Sequence, residues 1–213
     1  MENSNSLRAT STVTSGRLTG LGRAATVSGL LGVAVGVVTL AYPAAVPSDQ
    51  WSYPFPTGVQ WGSSIVLALA HALTAAGFVG VVLANPHRRS RTAAIALWVA
   101  VVGFAVLALC ELASGAIGDH TVTSTSAENV STAFGGASMA TALGSVVAGV
   151  VIVRAHVWAG LGRWMVLASG TVMIIVVTPA LIMGDLWPRT LALMLWSITF
   201  VPLGLTISSS EKA

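Results

Sequence analysis

The sequence predicts an all-α polytopic membrane protein, a transmembrane bundle of six helices. Six long apolar windows are separated by short polar stretches, and only 8% of the 213 residues are charged. Soluble domains usually carry about a quarter charged residues, so lipid must be the solvent for most of this surface. The basic residues fall on alternate sides of the windows, which is the pattern that membrane topology imposes.

Each apolar window has the ~20 residues that a helix needs to cross the hydrocarbon core. The predicted spans are 24–42, 62–84, 92–115, 131–153, 164–183 and 190–207. The fifth and sixth spans contain Pro179 and Pro202. Membrane helices tolerate such prolines as kinks, because neighbouring helices satisfy the carbonyls that a proline leaves unpaired. The six spans form one predicted domain, 24–207.

Polar segments flank this domain at both ends. Residues 1–23 are rich in Ser, Thr, Asn and Gly and predict a disordered cytoplasmic tail, and 208–213 predict a second, short cytoplasmic tail. The first span follows arginines, as a secretory signal does, but it is longer than a usual signal core, and 42–47 offers no good cleavage site. We expect this helix to be retained.

The basic residues also predict the orientation. Nine of the ten lie on one side, and only Arg189 lies on the other. The nine are Arg8, Arg17, Arg23, Arg88, Arg89, Arg91, Arg154, Arg163 and Lys212. The positive-inside rule places that side in the cytoplasm, and an even number of spans requires both termini to share it. We expect a multi-pass protein of the plasma membrane with 43–61 and 116–130 outside.

Two ionisable residues inside spans are the candidate proton or ligand pathway. His71 lies near the middle of the second span and Glu111 near the outer end of the third. Charged and titratable groups are costly in the membrane and usually face a bundle interior or water. Adjacent antiparallel helices would allow the two side chains to meet, directly or through water. The alternative is a neutral imidazole that only hydrogen-bonds a neighbouring helix.

Carboxylates also gather on the predicted outer side. This candidate acidic cluster contains Asp49, Asp119, Glu128 and Asp185, and it would attract cations if the groups line one mouth. The alternative is that these residues are simply solvated loop positions. His120 follows Asp119, but two adjacent residues do not make a metal site, so no metal ligands and no catalytic residues are assigned. The only cysteine is Cys110, and no cofactor motif is present.

The loop 49–56 contains Trp51, Tyr53 and Phe55, and Trp61 follows it. Aromatic rings with a polar edge suit the headgroup layer, so this segment predicts an interfacial anchor. The alternative is a lid over an outward-facing cavity.

Small residues recur four apart on three spans, which predicts close helix packing. They are Ser28, Gly32 and Gly36; Ser64, Ala68, Ala72, Ala76, Gly80 and Ala84; and Gly136, Ala140, Gly144 and Ala148. Such faces serve the bundle itself, a homo-oligomer, or a partner membrane subunit. The arginines flank apolar spans instead of forming a stripe, so nucleic acid is excluded as a partner.

The order of the spans resembles that of small six-span membrane proteins of unknown function from high-GC bacteria. Three features carry the resemblance: the Trp51-Ser52-Tyr53-Pro54 loop, the span with His71, and the closing span with Leu195-Trp196. The resemblance implies the six-span architecture and no site residues.

The function predicted from the residues is that of a non-enzymatic membrane protein, because no catalytic motif is present. It would be either a small transporter-like bundle or an accessory subunit that packs against a partner. The alternative is an enzyme that acts on a lipid or lipid-linked substrate at the outer leaflet, using Glu111, Asp119, His120 or Asp185.

Overall fold

The computed structural model describes residues 3–84, 87 and 90–210. The described residues contain no strand, and six helical segments are long and apolar enough to cross a membrane. These spans, numbered in chain order, are Gly16–Ala41, Thr57–Ala84, Arg91–Ala116, Thr125–Ala155, Gly162–Met183 and Leu186–Ser209. The predicted all-α bundle of six membrane-crossing helices is confirmed.

The first four spans are single helices and the last two are interrupted. The single helices are α1 (Asn3–Ala41), α2 (Thr57–Ala84), α3 (Arg91–Ala116) and α4 (Thr125–Ala155). The fifth span consists of α5 (Gly162–Val172), a π-helical turn (Met173–Val177) and α6 (Thr178–Met183). The sixth consists of α7 (Leu186–Ile198) and α8 (Phe200–Ser209).

The two interruptions lie beside the prolines that the sequence indicates as kinks. Pro179 follows the π-helical turn, where the backbone N–H of Thr178 bonds the carbonyl of Met173 and its hydroxyl donates to the same oxygen at 2.9 Å. Pro202 follows the break at Thr199, and it lacks the N–H that would bond the carbonyl of Ile198. The prolines therefore set where these spans depart from regular α-helix.

Several helices extend beyond their apolar windows. α4 begins at Thr125, six residues before the predicted span, because the side chain of Ser124 caps it by accepting the N–H of Ala127 at 3.3 Å. Glu128 lies in the same first turn, where a carboxylate is favourable. Hydropathy alone reports the apolar part of a helix and misses polar turns stabilised by capping.

The predicted N-terminal tail is helical from Asn3 and continues into the first span without a break. The disorder of this tail stays a prediction. The short C-terminal tail 208–213 also stays a prediction, although α8 extends into it as far as Ser209. Residues 1, 2 and 211–213 lie outside the described residues, as do Arg88, Arg89 and Lys212, which contributed to the predicted orientation.

The spans pack in chain order, and the sixth returns against the first and the fifth to close the bundle. Aromatic rings fill the centre. Phe78 of α2 lies 5.0 Å from Phe104 of α3, and Trp196 of α7 stacks on Phe104 at 5.8 Å between ring centroids. Phe200 of α8 packs edge-on against Trp196 at 5.1 Å. We call these four residues the aromatic cluster.

Small residues allow the backbones to approach closely, but only part of each predicted stripe serves this purpose. In α4, Gly144 and Ala148 are buried, whereas Gly136 is exposed. A methyl group added to Gly149 would lie 2.5 Å from the backbone of Leu167, so α4 and α5 touch there. A methyl group added to Gly136 would meet nothing within 4 Å. The N-terminal end of the α4 stripe, at Gly136, therefore faces away from the bundle.

These two glycines provide a matched test of the packing. Gly149→Ala should destabilise the protein by about 1–3 kcal/mol, because α5 must move away from the added methyl group. Gly136→Ala should be neutral or stabilise the helix by up to about 1 kcal/mol, since alanine is the better helix former. Unfolding by denaturing detergent, followed by circular dichroism, measures both changes. Equal stability of the two variants would contradict this packing.

Candidate functional site

His71 faces the interior of the bundle from the middle of α2. Its ring lies 6.1 Å from the ring of Trp196, and its side chain is 14% exposed. The aromatic cluster begins at Phe78, two turns further along α2. His71 therefore lies directly above the apolar centre, on the side of the loops 42–56 and 117–124. We call the end of the bundle that carries these two loops the loop face.

Glu111 of α3 lies against His71, as the sequence suggested for two adjacent antiparallel helices. The distance between His71 Nδ1 and Glu111 Oε1 is 3.7 Å, and the Glu111 side chain is 12% exposed. This is close enough for an ion pair but too long for a good hydrogen bond. Among the described residues, Nδ1 makes no hydrogen bond of ordinary length and angle. The structure thus brings together two titratable groups, of which His71 has a ring nitrogen without a hydrogen-bond partner among the described residues.

The register of α2 and α3 explains why these side chains meet. Gly115 has no side chain, so Trp61 and Ser64 pack directly on its backbone. Helical side chains lean toward the N-terminus of their own helix. His71 therefore points toward the loop face and Glu111 points away from it, which closes the difference in depth between them.

Polar side chains continue from Glu111 toward the loop face. Ser114 follows Glu111 by three residues and so shares its helix face. Its hydroxyl accepts the indole N–H of Trp51 at 2.8 Å and the amide N–H of Gln60 at 3.4 Å. Gln60 also donates to the hydroxyl of Ser64 at 3.3 Å. We call Ser64, Ser114, Gln60, Glu111 and His71 the polar column.

Residues 42–56 fold across the end of this column, and we call them the cover. The N–H of Trp51 bonds the carbonyl of His120 at 2.8 Å, and that of Ser52 bonds the carbonyl of Gly118 at 3.2 Å. The N–H of Val122 returns a bond to the carbonyl of Asp49 at 2.8 Å. The cover is therefore held to the second loop mainly by backbone hydrogen bonds.

The polar column stops at His71. The aromatic cluster lies on its far side, and there the described polar contact between α1 and α2 is the hydrogen bond of Ser28 to Thr74 at 2.5 Å. Thr74 also donates to the carbonyl of Ala70 at 3.0 Å. The polar side chains of the column thus connect the pair to the loop face and not to the opposite end.

The acidic residues predicted on the outer side separate into two kinds. Asp49, Asp119, Glu128 and Asp185 are exposed, whereas Glu111 is buried. The Asp119 side chain is 74% exposed and lies 3.9 Å from His120. Within the described residues, no three His, Cys, Asp or Glu side chains lie together as a metal site requires. Of the predicted candidates, the structure combines His71 with Glu111.

His87 lies at the end of the bundle opposite the loop face and is buried. Burial lowers its pKa below the ordinary value of 6.5. Neither ring nitrogen has a hydrogen-bond partner among the described residues. A neutral ring is therefore the form that suits this position.

Sequence reasoning did not assign Gln60, Ser64 or Ser114 to the site. A usable signal was present, since Gln60, Ser64 and His71 are four and seven residues apart and so lie on one helix face. Ser114 likewise lies one turn from Glu111. The hydrogen bond from Trp51 had no such signal, because the path of a loop cannot be read from periodicity.

Comparisons with protein-family models, with curated proteins and with solved structures find no match to this chain. The geometry of the pair and of the polar column is therefore the basis for assigning a function.

The His71–Glu111 contact predicts energetic coupling. His71→Gln and Glu111→Gln should be non-additive by about 0.5–3 kcal/mol in unfolding free energy, as expected for residues in contact. As the control, His71→Gln combined with Glu128→Gln should add within about 0.5 kcal/mol, because Glu128 is exposed. Detergent unfolding of the single and double variants supplies both cycles. Additive energies in the first cycle would show that the pair does not interact.

Proposed function

We propose that the protein is a small transporter-like bundle that binds and releases a proton at the His71–Glu111 pair. The observation that carries this proposal is the position of the pair, since two ionisable side chains from neighbouring spans lie 3.7 Å apart and largely buried. Ionisable groups are expensive inside a membrane and are a mark of ion and proton pathways. Imidazole is suited to protons because it ordinarily changes charge near neutral pH.

The polar column supports a route between this pair and the loop face. Its hydroxyl groups can both accept and donate a hydrogen bond, which proton relay requires. The excess of basic residues on the opposite side supports a location of the loop face outside the cell, with both termini in the cytoplasm. The location that we propose is therefore the plasma membrane.

A second candidate function is that of an accessory subunit. An apolar groove of about 550 Å³ runs between α3 and α4, and its lining includes Trp98, Gly103 and Gly136. Small residues on an outward face allow another helix to approach closely. Mass analysis after purification in mild detergent separates the two functions, because a stoichiometric foreign subunit would favour this second one.

An enzyme at the outer leaflet has less support. Its candidate residues do not share one environment, since Glu111 is buried against His71 while Asp119 and Asp185 are exposed. General acid–base catalysis needs groups that reach the same reacting atoms. The enzyme therefore remains the less supported alternative.

Proton flux tests the proposed function. In liposomes with a trapped pH-sensitive dye, a potassium diffusion potential should drive protons through the wild-type protein. Glu111→Gln and His71→Gln should each reduce the flux to that of protein-free vesicles, because an amide does not titrate. The matched control Glu128→Gln should retain the wild-type rate, since Glu128 is exposed. Equal flux in the wild type and Glu111→Gln would reject the pair as the proton site.

Cysteine labelling tests the orientation. Ser48, Thr123, Ala159 and Ser209 are exposed and lie at the two ends of the bundle. In a Cys110→Ala background, cysteines at 48 and 123 should react with an impermeant maleimide in intact cells. Those at 159 and 209 should react only after permeabilisation. The reverse pattern would invert the orientation.

A further inference from the structure

The contact between Trp51 and Ser114 places a donor-only group at the entrance of the polar column. Ser114 is buried, and its hydroxyl accepts two N–H groups, from Trp51 at 2.8 Å and from Gln60 at 3.4 Å. A serine hydroxyl has two acceptor lone pairs and one donor hydrogen. Both lone pairs are therefore engaged, and only the hydrogen remains for another partner.

That hydrogen is the part of Ser114 that is left to serve Glu111. Ser114 lies one turn from Glu111 on the same face of α3, and its side chain leans toward the N-terminus of the helix. Glu111 lies in that direction. A hydroxyl one turn from a carboxylate, with a hydrogen left to donate, is the arrangement that a relay into the pair requires.

Relay through a hydroxyl needs an acceptor site on the incoming side. A hydrated proton delivers its proton to the serine oxygen while the original hydroxyl proton passes to the carboxylate, which leaves the serine unchanged and the carboxylate protonated. An indole N–H and an amide N–H can only donate. While the indole of Trp51 occupies Ser114, water has no lone pair there to which it can deliver a proton.

We propose that Trp51 gates the proton route, so that protons reach the His71–Glu111 pair from the loop face only when its indole leaves Ser114. This inference rests on the proposed function, because it concerns access to the same pair. The cover is a suitable moving part, since Trp51 and Ser52 are joined to the second loop through the carbonyls of His120 and Gly118.

The test measures how fast the imidazole N–H of His71 exchanges with solvent. Full-length protein with labelled histidine, in lipid vesicles, is transferred to D₂O and followed by NMR, with the His71 signal assigned from His71→Gln. Trp51→Phe keeps an aromatic ring but removes the N–H, and it should accelerate exchange about tenfold, the effect of one net hydrogen bond. Trp187→Phe is the matched control at the same end of the bundle, because Trp187 is 60% exposed. In this variant the exchange rate of the His71 N–H should equal that of the wild type.

Ser114→Ala distinguishes a gate from a loosened cover. It releases the indole but also removes the relaying hydroxyl, so exchange at His71 should stay at or below the wild-type rate. Acceleration in both Trp51→Phe and Ser114→Ala would overturn the inference, because the cover would then act only as a steric lid. An unchanged rate in Trp51→Phe would overturn it as well.

The flux assay keeps this inference separate from the proposed function. If Glu111→Gln retains wild-type flux while Trp51→Phe accelerates exchange at His71, the transport function fails and the gate remains. If Glu111→Gln abolishes flux while Trp51→Phe leaves the exchange rate unchanged, the gate fails and the proton site remains.

Discussion

The indole of Trp196 joins four of the six spans. Its ring contacts Phe104 of the third span and Phe200 within its own span, and it approaches His71 of the second, while its N–H donates to the carbonyl of Ser169 in the fifth at 3.1 Å. Lipid offers no hydrophobic force to hold helices together, so packing and hydrogen bonds must do so. A single large side chain with one polar edge supplies both, and its ring packs beneath His71 of the titratable pair.

The architecture was predictable because the bilayer imposes two simple requirements, a minimum apolar length and an asymmetry of positive charge. The ends of the helices were less predictable. α4 starts in a polar segment because Ser124 caps it, and capping is a local hydrogen bond that hydropathy does not register.

The site was predictable only in part. Composition identifies His71 and Glu111, because ionisable residues within spans are rare. Their contact depends on the register between α2 and α3, which Gly115 sets by allowing Ser64 to pack on the backbone. The link from Trp51 to Ser114 depends on how a loop folds back, and no periodic pattern encodes that. The interfacial role that the sequence suggested for the loop is compatible with this bond, because Trp51 is only partly buried.

The π-helical turn Met173–Val177 interrupts the regular 3.6-residue periodicity of the fifth span, so α5 and α6 follow different helical registers. Such a turn contains one residue more than an α-helical turn, and one residue corresponds to about 100° of rotation. Positions before and after it therefore cannot be placed on one helical wheel. Deleting a single residue within this turn would therefore restore regular α-helix and keep Ala180, now in the core, on the face that meets the bundle. The same deletion in the regular part of α5 would rotate the residues before it by about 100° relative to Ala180, although the hydropathy of the span would be the same in both cases.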